Sequence, residues 1–199
     1  MGLGGTVKGK RTVLRATTED DLSAIARWMA DMRVRHLGRV WHEPAMPATW
    51  KERFTEITKD KDRVLWSIDA DGALVGMAIA GFGWEPHRDR AGIHHFVIDP
   101  EHWRKGYGMD AAIALHRFLF DYSDLRRVTA TLSADNAGAL RIAERLGYVT
   151  FGQKHDVHYR DGAYVDELEL LVDRPAWEER FPAEREYEPL GTTTTPKSA

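Results

Sequence analysis

The chain predicts an α/β (α+β) fold: one mixed, twisted sheet of about seven strands flanked by about four helices. Three observations carry this. Residues 93–98 are apolar on both parities apart from His94 and His95, as in a central strand covered on both faces. That run leads through a glycine-containing turn into an amphipathic pattern over 107–122, then into a strand pattern over 127–132. Strand, helix and strand in that order imply a parallel, right-handed crossover. Two hairpin signals, Asp71-Gly72 and Arg160-Asp161-Gly162, add antiparallel pairs around this unit.

The elements follow in order. Residues 1–10 read as a flexible terminus and 12–15 as a first strand. Thr18 and Asp21 form a capping box, followed by Leu22, Ile25, Ala26 and Met29 on one helical face, in a helix that ends before Gly38. Residues 39–47 are rich in Trp, His and Pro and read as a loop. Thr49 with Glu52 is a second capping signal, ahead of a stripe of Trp50, Phe54 and Ile57. These aromatics suit a substrate wall, but core packing is the simpler reading. Strands over 64–69 and 73–82 flank Asp71-Gly72, with Gly76 and Gly81 as bulges or close approaches. Residues 83–90 form a polar loop. The helix after the glycine turn presents Ala111, Leu115, Phe118 and Tyr122, with Ala112 and Leu119 beside them. Asp135 or Asn136 caps a short helix whose core side is Ala139, Ile142, Ala143 and Leu146, ended by Gly147. Strands over 148–159 and 164–172 close the fold. One domain over 11–177 results, with 182–199 a second flexible terminus.

Composition narrows the function. At 199 residues, 43% hydrophobic and 30% charged, the chain is an ordinary globular domain with a real core. The formal net charge of −3 argues against a nucleic-acid partner held by bulk positive charge. With no cysteine there is no disulfide, thiolate nucleophile or cysteine zinc site, which fits a reducing compartment. No apolar run reaches transmembrane length and no signal-peptide core is evident, so the expectation is a cytoplasmic protein without a membrane partner. The opening Met1-Gly2-Leu3-Gly4-Gly5-Thr6 matches a short myristoylation pattern, though a glycine-rich flexible start explains it as well.

The glycine turn carries the chemistry. The first N–H groups of a helix lack internal partners and the helix dipole adds partial positive charge, so a strand that stops at such a turn makes an anion site. Arg104 and Lys105 add charge there, or are a solvated pair of cations. Gly106 and Gly108 let a ligand approach the backbone. The turn lacks the Lys-Ser/Thr ending of a P-loop and the spacing of a dinucleotide fingerprint.

The order of motifs resembles the GNAT acetyltransferases, in the branch that includes the ribosomal-protein N-terminal (RimJ/RimL-type) enzymes. Asp99-Pro100-Glu101 precedes the turn. Trp103-Arg104-Lys105-Gly106-Tyr107-Gly108 stands where the family has its acetyl-CoA motif, with Trp103 at a position usually held by Gln or Arg. Asn136 opens a short helix ending at Arg145-Leu146-Gly147-Tyr148, and residues 159–171 resemble that branch's closing hairpin. The resemblance implies that the fourth and fifth strands, 93–98 and 127–132, splay apart and admit acetyl-CoA as co-substrate. The pantetheine arm would pair with the open edge at Phe96, Val97 and Ile98. The N–H groups from Arg104 through Lys105, Gly106, Tyr107 and Gly108 to Met109 would cradle the pyrophosphate, and Asn136 and Arg141 would add cofactor contacts. The implied activity is direct transfer of an acetyl group to a primary amine, on a protein N-terminus or a small molecule. A homodimer is common in such relatives.

Transfer requires a neutral amine, a stabilised oxyanion and a protonated leaving thiolate. The N–H of Val97 or a neighbour suits the carbonyl. Where the family often has a glutamate base, this chain has Gly92 and Ile93. His94 and His95 are the substitutes, since an imidazole near pKa ~6.5 accepts a proton at neutral pH. Neighbouring strand residues face opposite ways, and His94 shares the parity of Gly92; a bulge reverses that choice. The family's tyrosine and serine acids are replaced by Ala143 and Ala139, leaving Tyr148, Tyr159 or water. These gaps also fit a non-catalytic acyl-CoA-binding module. Glu85, Asp89, Asp166 and Glu167 are candidates for a cationic acceptor. No metal is expected: His155 and His158 fall on opposite strand faces and no third ligand is evident.

Overall fold

The computed structural model describes residues 5–38, 46–83 and 90–182. Among these, eight strands form one sheet: β1 (Val7–Lys8), β2 (Thr12–Ala16), β3 (Arg63–Ala70), β4 (Ala73–Phe82), β5 (Arg90–Ile98), β6 (Arg127–Ser133), β7 (Val149–Arg160) and β8 (Ala163–Asp173). Their spatial order is β1-β2-β3-β4-β5-β6-β8-β7. Every neighbouring pair is antiparallel except β5 and β6. The six helices are α1 (Leu22–Ala30), α2 (Met32–Leu37), α3 (Pro47–Lys59), α4 (Tyr107–Asp121), α5 (Ala137–Leu146) and α6 (Arg174–Arg180).

The central strands are covered on both faces, while β7 at the edge is largely exposed. On one face Val64, Trp66, Ile68, Ala78 and Ala80 pack with Leu115, Leu119 and Phe120 of α4, Leu146 of α5 and Trp177 of α6. On the other, Leu65, Met77 and Ile79 pack with Ile25 and Trp28 of α1 and with Trp50 and Ile57 of α3. Trp50 and Ile57 are therefore core, as the simpler reading had it.

Both expected hairpins form as two-residue turns. Ala70 pairs with Ala73 and Arg160 with Ala163, and Asp71, Gly72, Asp161 and Gly162 all have positive φ. The expected capping box also forms, with the Thr18 N–H donating to the Asp21 carboxylate at 2.9 Å. Burial works to raise the Asp21 pKa. The Arg15 guanidinium, the Thr18 N–H and the Ser67 hydroxyl outweigh it and hold that carboxyl well below the usual range. Arg15 also reaches Asp69, so β2, β3 and the start of α1 share one ionic knot.

Several element boundaries differ from expectation. The first helix is two, because Asp31 is extended (ψ 123°) and its side chain caps α2 through the Arg33 N–H. Helix α3 begins at Pro47, so Thr49 lies inside its first turn; proline's fixed φ suits the first helical position and its missing N–H costs nothing there. The packed unit also extends beyond 11–177 at both ends. Val7–Lys8 pairs with β2. At the other end Trp177, fully buried, stacks on Phe120 at 5.6 Å and on Phe181 at 4.4 Å between ring centres, which anchors α6. Residues 1–4 and 183–199 lie outside the described residues, as do 39–45 and 84–89 with Glu85 and Asp89.

His116 sits wholly inside the α4 core, Nδ1 2.7 Å from the Ala112 carbonyl and Nε2 2.7 Å from the Tyr148 hydroxyl. Nδ1–H thus donates to the carbonyl and Nε2 accepts from the phenol. Burial drives the His116 pKa down to about 4 from its ordinary 6.5. The folded state disfavours the imidazolium, so stability is complete above pH 6.5 and falls as pH drops towards 4. Urea unfolding of the wild type should show a loss of about 2 kcal/mol from this group between pH 7.5 and pH 5. His116→Gln should flatten that slope, and an unchanged slope would remove His116 as its source.

Candidate active site

The site forms where β5 and β6 part. Their parallel pairing runs from Arg90 opposite Arg127 to Ile93 opposite Ala130 and stops, although β5 continues to Ile98 and β6 to Ser133. The stop coincides with an irregularity on the other side of β5. Ile79 of β4 pairs with His95 and Ala80 with Ile93, leaving His94 as the extra residue of a β-bulge. The bulge changes parity. Gly92 opposes Gly81, while His95 opposes Ile79 on the sheet face that carries Val97, Met77 and Leu65. Ile93, Phe96 and Ile98 lie on the α4 face. Gly92 and His95 therefore share a face, and the parity preference for His94 does not survive. His94 belongs to β5, but its side chain is outside the described residues. His95 is half-buried.

Beyond Ile98 the chain turns sharply. Asp99 is buried and caps a 3-10 turn over Pro100–His102, accepting from the Glu101 N–H at 3.0 Å. The Trp103 indole N–H donates to the Ile98 carbonyl at 2.7 Å, which ties the turn to the end of β5. Arg104 has φ 61° and Gly106 φ 87°, both left-handed. For Arg104 that costs about 1–2 kcal/mol. The first backbone hydrogen bond of α4 runs from the Asp110 N–H to the Gly106 carbonyl, so the N–H groups of Tyr107, Gly108 and Met109 precede any internal acceptor. Arg104 and Lys105 are exposed. Only Gly106 is required by its conformation: a methyl at Gly108 would meet Ile142 and Ile98 at 3.5 and 3.6 Å, an ordinary contact.

The turn is braced from behind by residues about a hundred positions earlier. The Asp110 carboxylate accepts from the N–H groups of Lys10, Arg11 and Thr12 at 3.0, 2.9 and 2.9 Å, and from the Thr12 hydroxyl at 2.7 Å. Burial works to raise the Asp110 pKa, but these donors hold it below the usual carboxylate range. The Arg11 guanidinium donates to the Lys105 carbonyl and lies 4.8 Å from the centre of the Tyr107 ring. The Tyr107 hydroxyl in turn donates to Asp71 at 2.5 Å. None of this was foreseen from sequence, because no local pattern links residues so far apart.

On the other side of the gap, the Asn136 side chain caps α5 by accepting from the Ala139 N–H at 3.1 Å. Its amide donates to the Leu37 carbonyl at the end of α2, at 3.2 Å. Arg160, buried, bonds Ser133 at 2.8 Å, Asp135 at 2.7 Å and the Gly38 carbonyl. Arg141 is exposed on α5.

Of the four expected acid and acceptor groups that are described, Tyr148, Asp166 and Glu167 are engaged by other side chains and Tyr159 is exposed. Tyr148 is no candidate acid: its phenol is buried against His116, and burial pushes its pKa far above the ordinary value. Tyr159 is exposed near the hairpin turn, packed edge-on against Tyr164 at 5.1 Å. Asp166 accepts from Gln153, from the Asp156 N–H and lies 3.1 Å from His155. Glu167 is buried 3.3 Å from both His158 and Lys154. Among the described residues no group of three or more His, Cys, Asp or Glu is placed to hold a metal, and no helix is long and apolar enough to cross a membrane.

The sequence matches the family model of the acetyltransferase (GNAT) domain over residues 11–149. The chain is a GNAT-family acetyltransferase. A curated relative, the uncharacterized N-acetyltransferase YoaA of Bacillus subtilis (strain 168), is 25% identical over 167 residues, covering 83% of this chain and 94% of YoaA. Among solved structures, Mycobacterium smegmatis RimJ in complex with CoA-disulfide superposes with a TM-score of 0.76 at 19% identity, covering 90% of each chain. Spermidine N-acetyltransferase from Vibrio cholerae, in complex with CoA and spermine, gives 0.73 at 19% identity, covering 84% of this chain and 98% of that one. The GNAT fold brings a mixed sheet with a gap between two parallel strands, as found here between β5 and β6.

Asp110→Ala in this acetyltransferase should release β2 from α4. Thermal and urea unfolding should show a loss of about 2 kcal/mol or more, since a charged acceptor of several backbone N–H groups is removed. Unaltered stability would show that Asp110 does not carry the brace.

Proposed function

We propose that this acetyltransferase uses acetyl-CoA and moves the acetyl group directly to a primary amine, on a protein N-terminus or a small molecule. The observation that carries this is the end of β5–β6 pairing at the His94 bulge, directly before a left-handed glycine turn at a helix start. An open strand edge followed by free N–H groups suits a long ligand with amides at one end and a diphosphate at the other. The residues present fit coenzyme A in this way. Phe96, Val97 and Ile98 offer the edge, with Trp103 tying its end to the turn. Arg104, Lys105, Gly106, Tyr107, Gly108 and Met109 offer N–H groups and charge. Asn136 and Arg141 stand across the gap on α5.

Bound acetyl-CoA supplies a thioester whose carbonyl is open to attack by an amine. The chain's own residues do the rest. An N–H on the open edge of β5, at Phe96 or Ile98, polarises the carbonyl, since the alternation of the strand turns that of Val97 toward β4. His95, on the face of Gly92, accepts the proton that the ammonium form of the acceptor must lose; His94 at the bulge is the second candidate. With Ala139 and Ala143 on α5 and Tyr148 turned into the core, water protonates the departing thiolate. Much of the rate then comes from holding the two reactants together.

The test is thiol release from acetyl-CoA with a panel of amines that includes spermine and short peptides with free N-termini, alongside calorimetry with CoA. No CoA binding would sink the reading. Gly106→Glu should abolish CoA binding in a folded protein, because a carboxylate would stand at the anion site, whereas Gly106→Ala should keep measurable binding; retention of CoA affinity by Gly106→Glu would move the site elsewhere. His95→Ala should lower kcat by about 100-fold or more with little change in CoA affinity and erase the acidic limb of the pH–rate profile. An unaltered profile would transfer the role to another base.

A further inference from the structure

Arg11 enters this site from behind. It directly precedes β2, and its own N–H is already held by the Asp110 carboxylate together with those of Lys10 and Thr12. The strand therefore does not need the Arg11 side chain to stay in place. The guanidinium instead crosses to the turn, donates to the Lys105 carbonyl and lies over the Tyr107 ring. That ring is itself fixed, through its hydroxyl, to Asp71 of the β3–β4 turn. A methyl group built on Gly106 would stand 3.2 Å from the same guanidinium nitrogen.

The peptide between Lys105 and Gly106 is the one that matters. Its C=O and N–H point in opposite directions, because the peptide is planar and trans. A hydrogen bond that pulls the Lys105 carbonyl towards β2 turns the Gly106 N–H away from β2. Glycine makes this orientation easy to adopt and equally easy to lose, since it tolerates both signs of φ. If the peptide flipped, a carbonyl oxygen would replace an N–H donor, and the turn would repel an anion it otherwise attracts. A cation donating to the carbonyl also polarises the peptide and strengthens its N–H as a donor.

We propose that Arg11 is a positioning residue for the cofactor's diphosphate: it locks the Lys105–Gly106 peptide so that the Gly106 N–H is presented to the phosphates, without touching them itself. This rests on the reading of the turn as the diphosphate site of coenzyme A. The role differs from a contact to the 3′-phosphate and from general support of the fold, and the three separate by ligand.

The experiment compares wild type with Arg11→Ala, Arg11→Gln and Arg11→Lys. Affinities for CoA and for 3′-dephospho-CoA are measured by calorimetry, and kcat/KM is measured with S-acetylpantetheine, which has no diphosphate. Arg11→Ala should weaken CoA and dephospho-CoA by the same factor, about tenfold or more, and leave kcat/KM for S-acetylpantetheine unchanged. Arg11→Gln, which keeps a donor without the charge, should fall between Ala and wild type, and Arg11→Lys should recover part of the loss. Turnover of S-acetylpantetheine also reports that a variant is folded; if Arg11→Ala fails to fold, the Gln and Lys variants carry the comparison. Equal losses on all three ligands would make Arg11 structural. A loss confined to CoA would make it a 3′-phosphate contact. No loss on any would remove it from the site. Each of these overturns the inference while leaving the diphosphate reading in place, whereas failure of the unaltered protein to bind CoA overturns that reading and the inference with it.

Discussion

One extra residue in β5 decides the shape of this molecule. With His94 inserted opposite the Ile79–Ala80 step of β4, the strand changes face and direction at one point, and its partnership with β6 ends at the neighbouring residue. A sheet that stayed paired to Ile98 would present no open edge, and the turn after it would face a closed wall. The bulge thus creates the gap and at the same time brings His95 to the face of Gly92. Leaving strand edges unpaired is unfavourable unless something else holds the strands. Here β5 keeps β4 and β6 keeps β8, so each remains anchored on its far side.

The gap has a rigid rim made from distant parts of the chain. On the α4 side, Asp110, Arg11, Tyr107 and Asp71 link the helix start to the β1–β2 and β3–β4 turns. On the α5 side, Asn136 holds the Leu37 carbonyl at the end of α2 and Arg160 that of Gly38 just after it, so α2 is joined to the residue that opens α5. A single amide, that of Asn136, therefore caps α5 and holds the end of α2 at once. The charged groups in these links are largely satisfied within the protein, which leaves Arg104 and Lys105 as exposed cations at the mouth of the turn.

The core beneath α4 shows how a plausible chemical group becomes a structural one. Tyr148 follows the helix-ending Gly147 and is one of the sequence's candidates for the leaving-group acid. It turns inward because His116, one helix away, offers Nε2 as acceptor in a space closed by Phe120 and Trp177. Burying a phenol and an imidazole together satisfies both, whereas either alone would leave an unpaired polar atom. His116 and Trp177 lie 32 and 29 positions from Tyr148, so the stretch around Gly147 that suggested the acid carried no signal of this pairing.

Periodicity, turn chemistry and motif order were enough to determine the sheet-and-helix class, both two-residue hairpins, the glycine turn at the start of α4, the Asn136 cap and the GNAT family. These are local properties: a left-handed Gly106, an Asp71-Gly72 turn or an amphipathic stripe is written in adjacent residues. The tertiary structure alone decided which histidine shares the face of Gly92, because a bulge is a relation between two strands and parity counts only one. It alone brought Arg11 and Asp110 to the turn, withdrew Tyr148 into the core, and added β1 and α6 to the packed unit. Each of those outcomes depends on groups from different elements meeting in space, as Arg11 with Asp110 and Lys105 or His116 with Tyr148 do across 32 to 99 positions, and spacing along the chain carries no record of such meetings.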